Sequence, residues 1–95
     1  KHYSDVQIID VRTLEEIHGE LGHLKDMSHS TLGEELLSDL EKMDKIKPTV
    51  MVCRSGVRSI TASQMALQSG FKEVYNLLGG MIAVNNSCHR DYISR

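Results

Sequence analysis

The chain has 95 residues, of which 40% are hydrophobic and 25% are charged, a composition ordinary for one small globular domain with a single core. Its formal net charge is -2, with acidic and basic residues interspersed, so it offers no broad positive field for the phosphates of a nucleic acid. No apolar run approaches the roughly 18 residues that a membrane span needs. We therefore expect one domain over residues 1–95 that binds neither nucleic acid nor membrane.

The first predicted element is a buried strand over Val6–Val11, whose sequence VQIIDV is rich in β-branched residues. Thr13 is placed to cap a following helix that starts with acids, including Glu16, and stops near Gly19. A polar connection over Gly22–Ser30 follows and has room for a short strand. These patterns predict one strand and one helix before a loop.

The next predicted helix covers Thr31–Met43, where apolar residues recur at spacings of three and four. Thr49–Cys53 reads TVMVC, a continuous apolar run typical of a central parallel strand. A third helix is expected over Ile60–Leu67, ending at Gly70 in a left-handed conformation. Val74–Leu78 supplies a last strand before Gly79-Gly80 and a short apolar stretch, Met81 to Val84.

This alternation of strands and helices predicts an α/β fold in three layers, with a mostly parallel central sheet and helices on both faces. In such sheets, ligands bind beyond the carboxyl ends of the strands. The segment that follows the strand ending at Cys53 lies at that position. We therefore expect the functional residues in this segment.

That segment, Cys53–Ser59, reads CRSGVRS and leads from the strand into the next helix. A tight loop there directs several backbone N–H groups at one point, with the positive end of the helix behind them. We expect an anion-binding bowl with the Cys53 thiol at its rim and a lowered thiol pKa. Gly56 suits a bend with positive φ, and Ser59 can cap the helix through its hydroxyl.

Two arginines flank the bend. A planar guanidinium can hold two oxygens of an anionic donor such as thiosulfate, and Arg54 is expected to point at solvent or substrate. Arg58 has two interpretations, which remain open: it binds the donor, or it pairs with a carboxylate such as Glu16 or Asp10 and fixes the loop. The alternative for Cys53 itself is a small buried hydrophobic residue at a strand end.

The remaining cysteine and the histidines predict little. Cys88 lies in a polar tail, and we expect no disulfide between it and Cys53. The spacing of His18, His23 and His29 matches no metal site, so no metal is predicted.

The sequence resembles the rhodanese family over nearly its whole length. The resemblance lies in four motifs that occur in order: Asp10-Val11-Arg12 with Glu15-Glu16, Gly22-His23-Leu24, Cys53 to Ser59, and Gly70-Phe71 followed by Val74-Tyr75-Asn76-Leu77 and Gly79-Gly80-Met81. The departures are the family's tryptophan after the glycine pair, which is missing, and its leading strand and helix, which are largely absent. These departures concern substrate choice and stability more than the reaction.

The resemblance implies a single-domain sulfurtransferase without metal or organic cofactor. Cys53 would be catalytic and would carry sulfur as a persulfide between a donor, thiosulfate or polysulfide, and a thiol or cyanide acceptor. Its substrate-binding residues would be Arg54, Ser55, Gly56, Val57, Arg58 and Ser59. Its structural support would come from Asp10, Arg12, Glu16 and His23. A sulfur-accepting protein and fusion to other domains are compatible with this prediction.

Two other classes compete with this hypothesis. Cysteine phosphatases and arsenate reductases also hold a thiolate in an anion bowl, but Arg58 follows Cys53 by five positions, one fewer than in their phosphate-binding loop. A regulatory or docking module without turnover is the other alternative, and such modules commonly lack the cysteine. The expected location is the cytoplasm, or the periplasm if a signal peptide has been removed.

Overall fold

The computed structural model describes residues 6–87 and 90–94. Within this part of the chain, four parallel strands form the central sheet in the order β3-β1-β4-β5. Their bounds are β1 Gln7–Asp10, β3 Ser28–His29, β4 Thr49–Val52 and β5 Val74–Asn76. A separate antiparallel pair joins β2, His23–Leu24, to β6, Ile93–Ser94.

The two central strands, β1 and β4, carry the apolar runs of the sequence because both of their faces are covered. They pair in register from Gln7 opposite Thr49 to Asp10 opposite Val52. Ile9 and Met51 lie on one face of the sheet and Val52 on the other, and all three are buried. The predicted strands are thus present, each trimmed by one or two residues at its ends.

Helices cover both faces of this sheet. The helices α2, Glu34–Leu40, and α3, Arg58–Gln68, pack over Ile9 and Met51 through buried leucine and alanine side chains. The opposite face is covered by α4, Gly80–Asn85, whose Met81 packs with Val52 and with Ile93 of β6. A short helix, α1 Leu14–Ile17, follows β1, and a 3₁₀ turn covers Arg90–Tyr92. The predicted three-layer α/β class is confirmed.

Helix ends follow local capping in one case and tertiary contacts in another. Thr13 caps α1, as the sequence predicted, and forms a complete capping box with Glu16. Gly70 has a φ of 99°. The helix predicted over Thr31–Met43 is wrong at both ends, since α2 spans only Glu34–Leu40. At its N-terminal end, the backbone N–H groups of Ser30 and Leu32 donate to the carbonyls of Asp10, the last residue of β1, and of Val11, so this segment extends the sheet edge.

Candidate active site

Cys53 is the first residue after β4, at the carboxyl end of the central strand. We call residues Cys53–Ser59 the active loop; its last two residues form the start of α3. β4 is buried on both faces, which holds its end in place, and the loop turns back there because Gly56 has a φ of 103°. A Cβ on Gly56 would also lie 3.2 Å from the backbone nitrogen of Gly79. This position therefore requires glycine for conformation and for space.

The sulfur of Cys53 accepts hydrogen bonds from its own loop. The backbone N–H of Gly56 donates to Sγ over 3.0 Å, and that of Ser59 over 3.4 Å. Burial raises the pKa of the Cys53 thiol. Hydrogen bonds from the Ser59 hydroxyl and from the N–H groups of Ser59, Gly56 and Ser55 together lower it by more than burial raises it, so the pKa lies below the ordinary value. The loop favours the nucleophilic thiolate.

Two details of the predicted bowl are wrong. Cys53 is only 1% exposed, so the thiol lies at the base of the loop and not at its rim. Ser59 does not cap α3: the N-cap is Val57, which makes no side-chain hydrogen bond there. The Ser59 hydroxyl faces the sulfur and the side chain of Asn76 instead.

The backbone of the active loop is anchored by the start of α4. The N–H of Met81 donates to the carbonyl of Cys53 over 2.9 Å, and that of Ile82 to the carbonyl of Arg54 over 3.0 Å. Gly80 packs so closely that a Cβ there would lie 2.4 Å from the Cys53 oxygen. The sequence offered the glycine pair as a signal, but the short apolar stretch after it did not reveal a helix.

Arg58 pairs with Glu16 and not with Asp10, the other carboxylate that the sequence allowed as its partner. Its two terminal nitrogens donate to the two carboxylate oxygens over 2.6 and 2.7 Å. The bidentate bond to Arg58 lowers the pKa of Glu16 to about 2, against the opposing effect of burial. The same bond raises the pKa of Arg58. The ion pair ties α3 to α1 at the edge of the loop.

The other carboxylate, Asp10, is bound by Arg12 beneath the surface. Nε and Nη2 of Arg12 donate to the two carboxylate oxygens over 2.9 and 2.8 Å, and Nη2 also donates to the carbonyl of Gly22 over 2.7 Å. Both side chains are 1% exposed. A buried pair with these hydrogen bonds holds the end of β1 against the connection that follows α1.

Where the structure describes the chain, the exposed side of the site carries side chains without the hydrogen bonds and ion pairs found beneath it. Arg54, Ser55 and Val57 are exposed, and in the described residues the Arg54 side chain has no hydrogen-bonding or ionic partner. Arg54 lines an open pocket of about 210 Å³, whose other walls are Arg12, Glu16, Gly19, Glu20 and Leu21. The described part of the chain thus leaves one unpaired guanidinium next to Cys53 in the sequence.

Some predicted residues lie away from this cluster. His23 is on β2, where its Nδ1 lies 3.2 Å from the backbone oxygen of Leu24, and it makes no hydrogen bond to the active loop within the described part of the chain. Cys88 is outside the described residues, so the absence of a disulfide between it and Cys53 stays a prediction. Residues 6–87 and 90–94 contain no cluster of metal-binding side chains and no helix long and apolar enough to cross a membrane.

The fold and this site define a class: a parallel α/β sheet with a cysteine held by backbone N–H donors at the end of a central strand. The Rhodanese-like domain model matches residues 1–87. The chain is 37% identical over 76 residues to thiosulfate sulfurtransferase GlpE of Coxiella burnetii, covering 80% of this chain and 68% of that protein. It therefore belongs to the rhodanese-like domain family.

Two further comparisons show where this fold occurs. A tRNA uridine(34) hydroxylase of Yersinia pestis is 36% identical over 83 residues, which cover 82% of this chain and 23% of that protein. The crystal structure of a rhodanese-like domain protein from Staphylococcus aureus superposes with a TM-score of 0.73 at 31% identity, over 82% of this chain and 72% of that one. The same domain thus matches both a protein of similar size and a segment of a longer one.

Proposed function

We propose that this chain is a sulfurtransferase in which Cys53 takes sulfane sulfur from thiosulfate or a polysulfide, carries it as a persulfide, and passes it to a thiol or cyanide. The observation that carries the proposal is the cradle of N–H groups from Gly56 and Ser59 on the Cys53 sulfur. Such donors stabilise negative charge on a sulfur atom, in the thiolate and in the persulfide anion alike. The name of the relative from Coxiella burnetii supports the same activity.

The reaction balances in two displacements. The Cys53 thiolate attacks the terminal sulfur of thiosulfate, a new S–S bond forms, and the donor's S–S bond breaks with its electron pair leaving on sulfite. Cyanide or a thiolate then attacks the outer sulfur of the persulfide, and the electron pair of that S–S bond returns to Cys53. The steps alternate, so ping-pong kinetics are expected.

The geometry around the loop favours a slender donor. Because Cys53 lies at the base of the active loop, a donor that presents a single terminal sulfur atom fits better than a bulky electrophile. The oxygens of thiosulfate would then meet the unpaired Arg54 at the rim. In this proposal the active loop binds substrate, with Arg54 holding the donor's oxygens and Arg58 paired with Glu16 at the edge of the loop. Asp10 and Arg12 support the loop from beneath, and His23 lies further away.

The alternatives are weaker on the same observations. A phosphatase needs a loop wide enough for a tetrahedral oxyanion, whereas the N–H groups of Gly56 and Ser59 converge on one sulfur atom. A docking module without turnover has no use for a thiol with a lowered pKa. We propose a cytoplasmic enzyme without cofactor, whose partners are small sulfur donors and thiol, cyanide or protein acceptors.

Intact-mass analysis after exposure to thiosulfate tests the proposal. We expect the purified protein to gain the mass of one sulfur atom, to lose it on addition of cyanide, and to release thiocyanate in turnover. Cys53→Ser should abolish both the mass gain and turnover, whereas the matched control Cys88→Ser should retain them. Turnover that survives Cys53→Ser, or no mass gain with thiosulfate or polysulfide, would overturn the assignment.

A further inference from the structure

Two side chains outside the backbone cradle connect to the Cys53 sulfur. Ser59, on the first turn of α3, places Oγ 3.4 Å from Sγ, and the same hydroxyl donates to Oδ1 of Asn76 at the end of β5. The other end of that amide, Nδ2, donates to the carbonyl of Gly56 over 3.4 Å. Ser59 is fully buried and Asn76 is half-buried. A line of hydrogen bonds therefore runs from the nucleophile through α3 to β5 and back to the loop.

The direction of these hydrogen bonds depends on whether Cys53 is a thiol or a thiolate. A neutral Cys53 donates its S–H to Ser59, and the single hydroxyl hydrogen of Ser59 then goes to Asn76. A thiolate has no hydrogen and can only accept. Its best arrangement turns the Ser59 hydrogen toward the sulfur, which leaves the Ser59 oxygen facing Oδ1 of Asn76, two acceptors without a hydrogen between them.

A half-turn of the Asn76 amide removes that conflict. It exchanges Oδ1 and Nδ2, so that the amide donates to the Ser59 oxygen while the Ser59 hydroxyl donates to the sulfur. The rotation gives up the bond from Nδ2 to the Gly56 carbonyl, which at 3.4 Å is long. It also leaves Oδ1 facing the Gly56 carbonyl oxygen, so the rotation exchanges this long hydrogen bond for one at the Ser59 oxygen beside the thiolate. Each charge state of Cys53 thus favours its own orientation of the Asn76 amide.

We propose that Asn76 is a positioning residue that acts through Ser59: the orientation of its amide determines whether the Ser59 hydroxyl donates to the Cys53 sulfur. The inference rests on the proposed function, because it assigns the residues that prepare the nucleophile of that reaction. It also explains why an amide suits position 76. A carboxylate would only accept and would hold the Ser59 hydrogen for itself, and an apolar side chain would leave the buried hydroxyl without this partner.

The test is the pH midpoint of Cys53 alkylation in a Cys88→Ser background. Ser59→Ala should raise the midpoint by about one pH unit, the value of one hydrogen bond to a charged group. Asn76→Asp should raise it at least as much. Matched controls are Ser63→Ala, which removes a hydroxyl one turn further along α3, and Asn86→Asp, which adds the same charge at an exposed position. Both controls should leave the midpoint unchanged.

The double variant separates a relayed effect from direct repulsion between charges. If Asn76 acts through Ser59, Asn76→Asp should have little further effect once Ser59 is alanine. An equal shift with and without the Ser59 hydroxyl would overturn the proposal, as would folded single variants with unchanged midpoints. The charged pairs around the loop, Arg58 with Glu16 and Arg12 with Asp10, and the exposed Arg54 are the same in all of these proteins.

Folding and function are controlled separately. Ser59→Thr retains a hydroxyl and should restore a midpoint close to that of the unsubstituted protein, whereas a midpoint as high as in Ser59→Ala would contradict the relay. Circular dichroism checks that each variant is folded. Alkylation requires no sulfur transfer, so the expected shifts in a protein that fails to gain sulfur would support the relay while the proposed function fails.

Discussion

At the base of the active loop, Cys53, Ser59 and Gly80 are buried and the backbone of α4 binds the loop carbonyls, whereas at the rim Arg54, Ser55 and Val57 are exposed. The two levels also carry different ion pairs. Arg12 and Asp10 lie beneath the surface at 1% exposure each, and Arg58 and Glu16 pair at the edge with 36% and 28% of their side chains exposed.

This contrast separates two tasks. Burial makes every unpaired polar group at the base costly. Substitutions there should therefore reduce stability and change the pKa of the Cys53 thiol together. Water screens the charges at the rim, so substitutions there should change substrate binding more than stability. The following variants test this division, in order of decreasing expected loss of stability.

Arg12→Ala should cause the largest loss. It leaves the Asp10 carboxylate buried without its partner, which costs about 3–5 kcal/mol in comparable cases and is a large share of the stability of a small domain. Urea denaturation measures the change in the free energy of unfolding. Lys42→Ala, which removes an exposed positive charge, is the control. A loss below about 1 kcal/mol, the value of a surface pair, would show that the Arg12–Asp10 pair behaves like one at the rim.

Gly80→Ala should come next. The new Cβ would lie 2.4 Å from the Cys53 oxygen and 2.5 Å from the Arg54 carbonyl carbon, and overpacking of this kind costs about 1–3 kcal/mol. The displaced loop should also alkylate at a higher pH midpoint, since its N–H groups no longer converge on the sulfur. Gly33→Ala is the matched control, because Gly33 also has positive φ but has nothing within 4 Å of the added Cβ. Normal Cys53 reactivity in Gly80→Ala would refute this account of the anchor.

Arg58→Ala should cost less, about 1 kcal/mol, because its ion pair with Glu16 is partly exposed. The pKa of Glu16 is about 2 in the folded protein and 4.5 ordinarily. The pair therefore contributes its full stability above 4.5 and loses it as the pH falls toward 2. The stability difference between the protein and Glu16→Gln should shrink over that interval. A difference that does not depend on pH would exclude the ion pair as its cause.

Arg58→Ala should also change the pKa of the Cys53 thiol. Its positive charge interacts with Cys53, so its removal should raise the thiol pKa and lower kcat. Glu16→Gln keeps that charge and should leave the alkylation midpoint closer to that of the unsubstituted protein. An identical midpoint in Arg58→Ala and in the unsubstituted protein would limit Arg58 to a structural role.

Arg54→Ala should leave stability nearly unchanged, within about 0.5 kcal/mol. If its guanidinium holds the oxygens of thiosulfate, the substitution should raise KM by about tenfold or more, the value of a charge-assisted bond. Arg54→Lys retains the positive charge but lacks the planar guanidinium that binds two oxygens, so it should give an intermediate KM. Steady-state kinetics and thermal denaturation on the same samples measure both quantities. Equal effects from Arg54→Ala and Arg58→Ala in kinetics, stability and thiol titration would contradict the division of roles.

The parts of this site that are continuous in sequence could be predicted from it. The apolar strand, the cysteine, the glycine bend and the helix follow one another within Thr49–Gln68, so their order alone indicated an anion loop. The capping box of Thr13 was equally local. The role of Arg58 stayed open between binding the donor and pairing with Glu16 or Asp10. The choice of carboxylate could not be predicted because the sequence does not show that Arg12 already pairs with Asp10.

Contacts between distant segments account for what was missed. Asn76 lies 17 positions beyond Ser59, and nothing near either residue indicates that the carboxyl end of β5 faces the first turn of α3. α4 was not predicted because a short apolar stretch carries no clear helical period, and it is held by the carbonyls of Cys53 and Arg54. The predicted N-terminal end of α2 was wrong because the N–H groups of Ser30 and Leu32 donate to the carbonyls of Asp10 and Val11.

The most direct test of the central claim is the pH dependence of Cys53 alkylation in folded and urea-unfolded protein, with Cys88 replaced by serine. The N–H cradle should place the folded midpoint below that of the unfolded chain, which should lie near the ordinary cysteine value of about 8.5. A folded midpoint at or above the unfolded one would mean that burial outweighs the hydrogen bonds from Gly56 and Ser59. Cys53 would then be a buried structural thiol and not the sulfur carrier.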